Sequence, residues 1–197
     1  MQLIDNTNSP KMKPQKITLL DLGGVVFQST GTSNEKINWE IIHQLNHKYG
    51  RDLYVGVSKF PDFMGEYNEL TQQSLLGEEF FQLLFNTLKI NTELIEFIRK
   101  DSEIVIVSDH YREAIEYISK RYAFDTWAIH QIYSFDYKIV KSNPLFFKKL
   151  LEQINEYEKE SMVFIDDSPH KIESAAKNGI RGILFESNEQ VKREYGG

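Results

Sequence analysis

At 197 residues, 41% hydrophobic and 26% charged, the chain can build one sizeable core with a smaller inserted module, and it is too apolar to stay unfolded. A formal net charge of −6 with no long basic run disfavours nonspecific binding to nucleic acid or an anionic membrane, so small-molecule partners are expected. The absence of cysteine excludes disulfides, thiolate metal sites and cysteine nucleophiles and fits the cytoplasm, while the sequence leaves open whether the chain is a monomer or a homodimer.

Residues 1–16 (MQLIDNTNSPKMKPQK) are polar, with no apolar stretch long enough for a signal peptide or membrane span, and read as a flexible tail. Ile17–Leu20 then form a short run suited to a strand buried on both faces, which places Asp21 at its carboxyl end. Gly23 and Gly24 follow, permitting backbone angles and close approaches that a Cβ would block.

Residues 31–90 carry helical spacing (Ile37, Ile41, Leu45, Tyr49; then Phe80, Phe81, Leu84, Phe85) and little that suggests strand. They read as a helical insertion, after which a helix over Thr92–Lys100 returns the chain to the sheet. Within the insertion Tyr54, Phe60, Phe63 and Tyr67 are expected in its core, with pocket lining as the alternative. His43 and His47 share a helix face, but no third ligand lies near them and a solvated face is the better reading.

Beyond residue 90, strands are expected at Glu103–Ser108, Ala128–Ser134, Ser161–Asp166 and Ile180–Phe185. Helices should cover Tyr111–Tyr122, Pro144–Tyr157 and Pro169–Asn178; the last two open with proline after Asn143 and Ser168 as caps, and Gly179 ends the last. Strands alternating with helices imply a mainly parallel sheet that holds ligands beyond the carboxyl ends of its strands. Those ends deliver Asp21, Ser108 with Asp109, and Asp166 with Asp167, while Lys141 precedes the helix at Pro144. Two like charges about 4 Å apart repel by roughly 4 kcal/mol at an effective dielectric of about 20, so clustered carboxylates need a cation. Hard oxygen ligands without histidine or cysteine suit Mg²⁺, which leaves room for water and a phosphate.

These segments resemble the motifs of the haloacid dehalogenase (HAD) superfamily, mostly phosphatases that work through an aspartyl-phosphate. LLDLGGVVF resembles the first motif, IVIVSD the second, VKSNPLFFKKLL the third and VFIDDSPHKIESAAKNGIRGILF the fourth, together spanning almost everything after residue 16. The resemblance implies a Rossmann-like α/β/α sandwich comprising residues 17–30 and 91–197, with residues 31–90 as a small α-helical cap over the substrate. It implies Asp21 as nucleophile, with Ser108 and Lys141 completing the catalytic set. Ser108, Asp109, Lys141 and Gly24 would bind substrate or phosphate, and Mg²⁺ would be held by Asp21, the Gly23 carbonyl, Asp167 and Asp166.

The chain departs from the superfamily where most of its phosphatases carry a second aspartate as acid-base: that position is Gly23. A small phosphorylated metabolite with a good leaving group, such as a sugar 1-phosphate or an acyl or aryl phosphate, would tolerate the change. Asp109 or His110 could substitute as acid-base. The remaining alternatives are a catalytically weakened phosphate-binding or interaction protein, and a 2-haloacid dehalogenase, which normally dispenses with the metal.

Overall fold

The computed structural model describes residues 16–196. Apart from Lys16, the expected tail lies outside them; Lys16 Nζ donates to the Tyr195 carbonyl at 2.9 Å. A five-stranded parallel sheet organises the molecule: β1 (Ile17–Leu20), β4 (Glu103–Ser108), β5 (His130–Tyr133), β6 (Met162–Asp166) and β7 (Arg181–Leu184) in the order β5-β4-β1-β6-β7. β1 lies at the centre, with Leu20 opposite Ile106 of β4 on one side and Ile165 of β6 on the other. The chain builds outward first on the β4 side and then on the β6 side, the topology that opens a crevice beyond the carboxyl end of the central strand.

Burial on both faces explains the composition of β1. Leu20 joins one apolar cluster, whereas Ile17 and Leu19 join a second with Phe146, Phe147 and Phe164. The one polar side chain within the strand, Thr18, is satisfied by hydroxyl contacts with Ser102 and Tyr195.

The helices are α4 (Thr92–Ile98), α5 (Arg112–Arg121), α7 (Pro144–Gln153), α8 (Pro169–Ala176) and α9 (Asn188–Tyr195), with a single turn, α6 (Ser134–Tyr137), after β5. Asn143 caps α7 as expected, its side chain accepting from the Leu145 N–H at 3.0 Å. Ser168 precedes α8 but makes no side-chain cap; its own N–H donates to Asp166 Oδ1 at 2.9 Å instead. Most expected spans end a residue or two early, and β5 stops before Ser134 because the Asp136 carboxylate accepts the Tyr133 N–H and turns the chain into α6. Gly179 has φ +79° past the end of α8, the left-handed geometry suited to glycine.

Residues 31–90 hold α1 (Trp39–Tyr54), α2 (Phe60–Thr71) and α3 (Gly77–Phe85). They also hold β3 (Leu88–Ile90), contrary to the expectation of helix alone; it pairs antiparallel with β2 (Phe27–Ser29). The outgoing and returning connections of the helical segment therefore form one two-stranded ribbon. Asn91 anchors its base, donating from its backbone N–H to the Val26 carbonyl at 2.7 Å and from its side chain to the Val25 carbonyl at 3.2 Å.

The helical segment shares a single apolar cluster with one face of the sheet. Phe60 stands at the junction: its ring lies 4.6 Å from that of Phe81 and 5.5 Å from that of Tyr111, the residue that opens α5. A phenylalanine that is 3% exposed in such a stack cannot be truncated without leaving a cavity. Phe60→Ala should lower the unfolding free energy by about 3–5 kcal/mol in urea titration, and the transition should remain single because the cluster is continuous.

Candidate active site

Parallel pairing brings the polar strand ends together. Asp21 is 3% exposed and extends the β1–β6 ladder through an N–H bond to the Ile165 carbonyl at 3.1 Å. Ser108, also buried, ends β4 opposite Tyr133 of β5. Asp166, fully buried, ends β6, and the exposed Asp167 follows it.

Lys141 enters from the loop before α7 and is completely buried. Its ammonium donates to Asp21 Oδ1 at 2.5 Å, to Asp166 Oδ2 at 2.7 Å and to the Val107 carbonyl at 2.9 Å. All three of its donors are thereby used. Asp109 secures the same lysine from behind, since its Oδ1 accepts the Lys141 backbone N–H at 3.0 Å.

The two glycines after Asp21 differ. Gly24 has φ +75°, and a Cβ there would collide with the Asp167 carboxylate, so the glycine makes room for that side chain. Gly23 has no such constraint: a Cβ would meet nothing within 4 Å.

A second cation, missed in the sequence reading, completes the cluster. Lys171 Nζ lies 3.7 Å from Asp21 Oδ2 and 3.6 Å from Asp166 Oδ1. Its signal was present in the sequence: a lysine in the first turn of α8 opposes the helix dipole and calls for nearby carboxylates.

The electrostatics are uneven. Burial would push the Asp21 carboxyl up, yet Lys141 and Lys171 hold it below its ordinary range. Asp166 is pushed up to about 6 by burial and by the Asp21 charge, against the pull of Lys141. Burial acts against the charge on Lys171, but Asp21, Asp166, Asp109 and Asp167 keep its pKa above the usual lysine range.

One oxygen from each of Asp21, Asp166 and Asp167 lies within 4.8 Å of the others. Three hard oxygen donors so placed form a set suited to a hard divalent cation. His43 and His47 face each other with rings 4.6 Å apart and join no such group among the described residues.

Above these groups lies a cleft of about 390 Å³. Asp21, Asp167 and Lys171 form its polar wall, and the apolar wall includes Phe27, Trp39, Ile42 and Phe85. Of the four aromatic residues weighed as pocket lining, only Tyr54 reaches the cleft; Phe60, Phe63 and Tyr67 are core. A larger groove of about 930 Å³ shares Tyr54 and Asp109 with this cleft but touches none of the three clustered carboxylates. Size alone would therefore misplace the chemistry.

Known proteins share the fold that carries this site. The chain is similar to a HAD family enzyme from Bacteroides thetaiotaomicron solved as a magnesium complex, with 18% identity, a TM-score of 0.68, and coverage of 94% of this chain and 100% of that one. It is similar in the same degree to a HAD-like family hydrolase from Porphyromonas gingivalis, at 18% identity and TM-score 0.68 over 93% of this chain and 97% of that one. A 2-haloacid dehalogenase from Pseudomonas syringae pv. Tomato aligns with a TM-score of 0.52 at 14% identity, over 87% of this chain and 86% of that one. At these identities the likeness establishes the fold alone. No curated protein sequence matches the chain. The sequence model of the family described as NLI interacting factor-like phosphatase matches residues 82–194, which include Ser108, Lys141, Asp166 and Asp167 but not Asp21. With more than half of its residues matched to that model, on the sheet and strand-end cluster described above, the chain belongs to the NLI interacting factor-like phosphatase family of the HAD superfamily.

Proposed function

We propose that the protein is a Mg²⁺-dependent phosphatase of small phosphorylated metabolites, working through an aspartyl-phosphate on Asp21. The observation that carries this reading is the clustering of Asp21, Asp166 and Asp167, the first two paired with the buried Lys141 ammonium, at a cleft that Asp21 and Asp167 line. In this reading residues 31–90 act as the cap that shapes the cleft, and residues 17–30 with 91–197 form the catalytic domain.

Asp21, Asp166 and Asp167, with the main-chain carbonyl of Gly23, would hold Mg²⁺, and the acidic oxygen-only donor set fits that ion. When bound, the ion neutralises the incoming phosphate and the developing charge on its oxygens. A carboxylate oxygen of Asp21 attacks phosphorus, and the bond to the leaving-group oxygen breaks. Lys141 keeps Asp21 ionised and oriented, while the Ser108 hydroxyl and Gly24 receive phosphoryl oxygens. Water then attacks phosphorus and releases phosphate, regenerating the Asp21 carboxylate.

The missing acid-base at Gly23 narrows the substrate. Asp109 is occupied with the Lys141 backbone. His110 Nδ1 accepts the Tyr111 N–H at 3.0 Å, and burial, reinforced by Lys141 and Lys171 against Asp21, pushes its pKa down to about 4. A ring neutral at pH 7 is a poor proton donor. The leaving group must therefore depart without strong protonation, and the aromatic wall of the cleft favours an aryl phosphate among such substrates. Asp109 at the cleft disfavours a second anionic group on it. The same glycine supports the second reading, a weakened enzyme that chiefly binds phosphorylated ligands.

p-Nitrophenyl phosphate should be hydrolysed in Mg²⁺ and not in EDTA, and Asp21→Asn should abolish turnover. Metal-independent chloride release from 2-chloropropionate would instead support the dehalogenase. Because Gly23 has room for a side chain, Gly23→Asp should fold and raise kcat/KM for an alkyl phosphate by about 10²–10⁴-fold, with a smaller gain for the aryl ester. An equal or absent gain on both esters would refute the leaving-group argument.

His110 also predicts a pH dependence of stability. Its folded pKa of about 4 lies below the ordinary 6.5, so the unfolded chain takes up the proton first. This contribution is complete above pH 6.5 and declines as pH falls toward 4. The full shift corresponds to about 3 kcal/mol, and partial exposure of the ring reduces it to roughly 1–2 kcal/mol. Urea titrations between those limits should show a shallower slope for His110→Gln than for wild type.

A further inference from the structure

We propose that Lys171 is a built-in counter-cation that holds the divalent-cation position in the metal-free protein, so that a metal ion must displace its ammonium and binds more weakly for that reason. The inference rests on the Mg²⁺ site of the proposed function and assigns to it a residue that limits its affinity.

The two lysines of the cluster are held in different ways. Lys141 is fully buried and locked by three hydrogen bonds of 2.5, 2.7 and 2.9 Å, two of them to Asp21 Oδ1 and Asp166 Oδ2. Lys171 faces the opposite oxygens, Asp21 Oδ2 and Asp166 Oδ1, at 3.7 and 3.6 Å. Those distances exceed a direct hydrogen bond, so it is an ion-paired but unlocked group. Its side chain is 22% exposed, giving the ammonium a route to solvent on a flexible four-carbon stem.

Its location identifies what it replaces. Asp21 and Asp166 belong to the three-carboxylate cluster that can surround one ion, and Lys171 sits against the oxygens of that pair which Lys141 leaves open. Three clustered carboxylates and one locked ammonium leave two negative charges unbalanced; Lys171 offsets one of them. A divalent ion brought to the same oxygens would meet the ammonium at close range, where like charges repel. The position of Lys171 in the first turn of α8 supports the same conclusion, because a cation there opposes the helix dipole and is retained through its carboxylate partners.

Calorimetric titration of EDTA-treated, dialysed protein with MgCl₂ and with MnCl₂ tests the proposal directly. Lys171→Met and Lys171→Asn should each bind both ions about tenfold or more tightly than wild type, equivalent to about 1.4 kcal/mol or more; Lys171→Arg, which keeps the charge, should bind like wild type. In EDTA the two neutral variants should melt below wild type, and Mg²⁺ should raise their Tm by more than it raises that of wild type. A variant that folds only with Mg²⁺ present supports the proposal. Unchanged or weaker affinity in both neutral variants overturns it while leaving the Mg²⁺ site intact. Failure of every protein, wild type included, to bind either ion removes the Mg²⁺ site and this inference together.

Discussion

The buried ammonium of Lys141 is the constraint on which the site depends. It reaches Asp21 after β1, the Val107 carbonyl in β4 and Asp166 at the end of β6, so one charge ties together three adjacent strands. An ammonium removed from water is tolerated only when its donors are satisfied and its charge is countered. Both carboxylates and the carbonyl are therefore structural as well as chemical partners. Asp109 fixes the lysine's own backbone, which adds the residue after β4 to the same network. The cluster is held in place before any ligand arrives, the condition under which electrostatic stabilisation is effective.

The central strands and their polar ends were legible because burial on both faces leaves a strong pattern. Ile17–Leu20, Ile104–Val107 and Met162–Ile165 are almost wholly apolar or branched, so a carboxylate or hydroxyl at the end of each stands out. Lys141 was legible only through its company: the proline-led helix behind it and the acidic pair farther on. Lys171 was not read, because the pattern of α8 draws attention to its apolar face while the lysine's partners come from two other strand ends.

Elsewhere the signals were weaker for identifiable reasons. β2 and β3 are three residues each and owe their form to pairing across the helical segment, which no local spacing reveals. α9 is mostly polar and buries three residues, Gln190, Val191 and Tyr195, the last meeting the Thr18 hydroxyl. Of the four aromatic residues expected in the core of the insertion, Phe60, Phe63 and Tyr67 of α2 lie there, whereas Tyr54, the last residue of α1, lines the cleft, an outcome the sequence pattern does not reveal because both environments favour the same side chains. In the fold, Tyr54 stacks on Tyr111 just as Phe60 does, and Tyr111 also lines the cleft, so one aromatic stack runs from the core to the cleft wall.

The cleft wall and the core are not separate populations of side chains. Phe85 lines the cleft and also meets the rings of Phe27, Phe81, His110 and Tyr117. Trp39 lines the same space from the start of α1 and is 46% exposed. Any retuning of which molecules enter is thus unequally free across the wall: a new residue at position 39 reshapes the entrance with little disturbance beneath it, whereas one at position 85 must also repack the seam between α3 and the sheet. Trp39 is accordingly the position at which ligand choice can change at least cost to the fold.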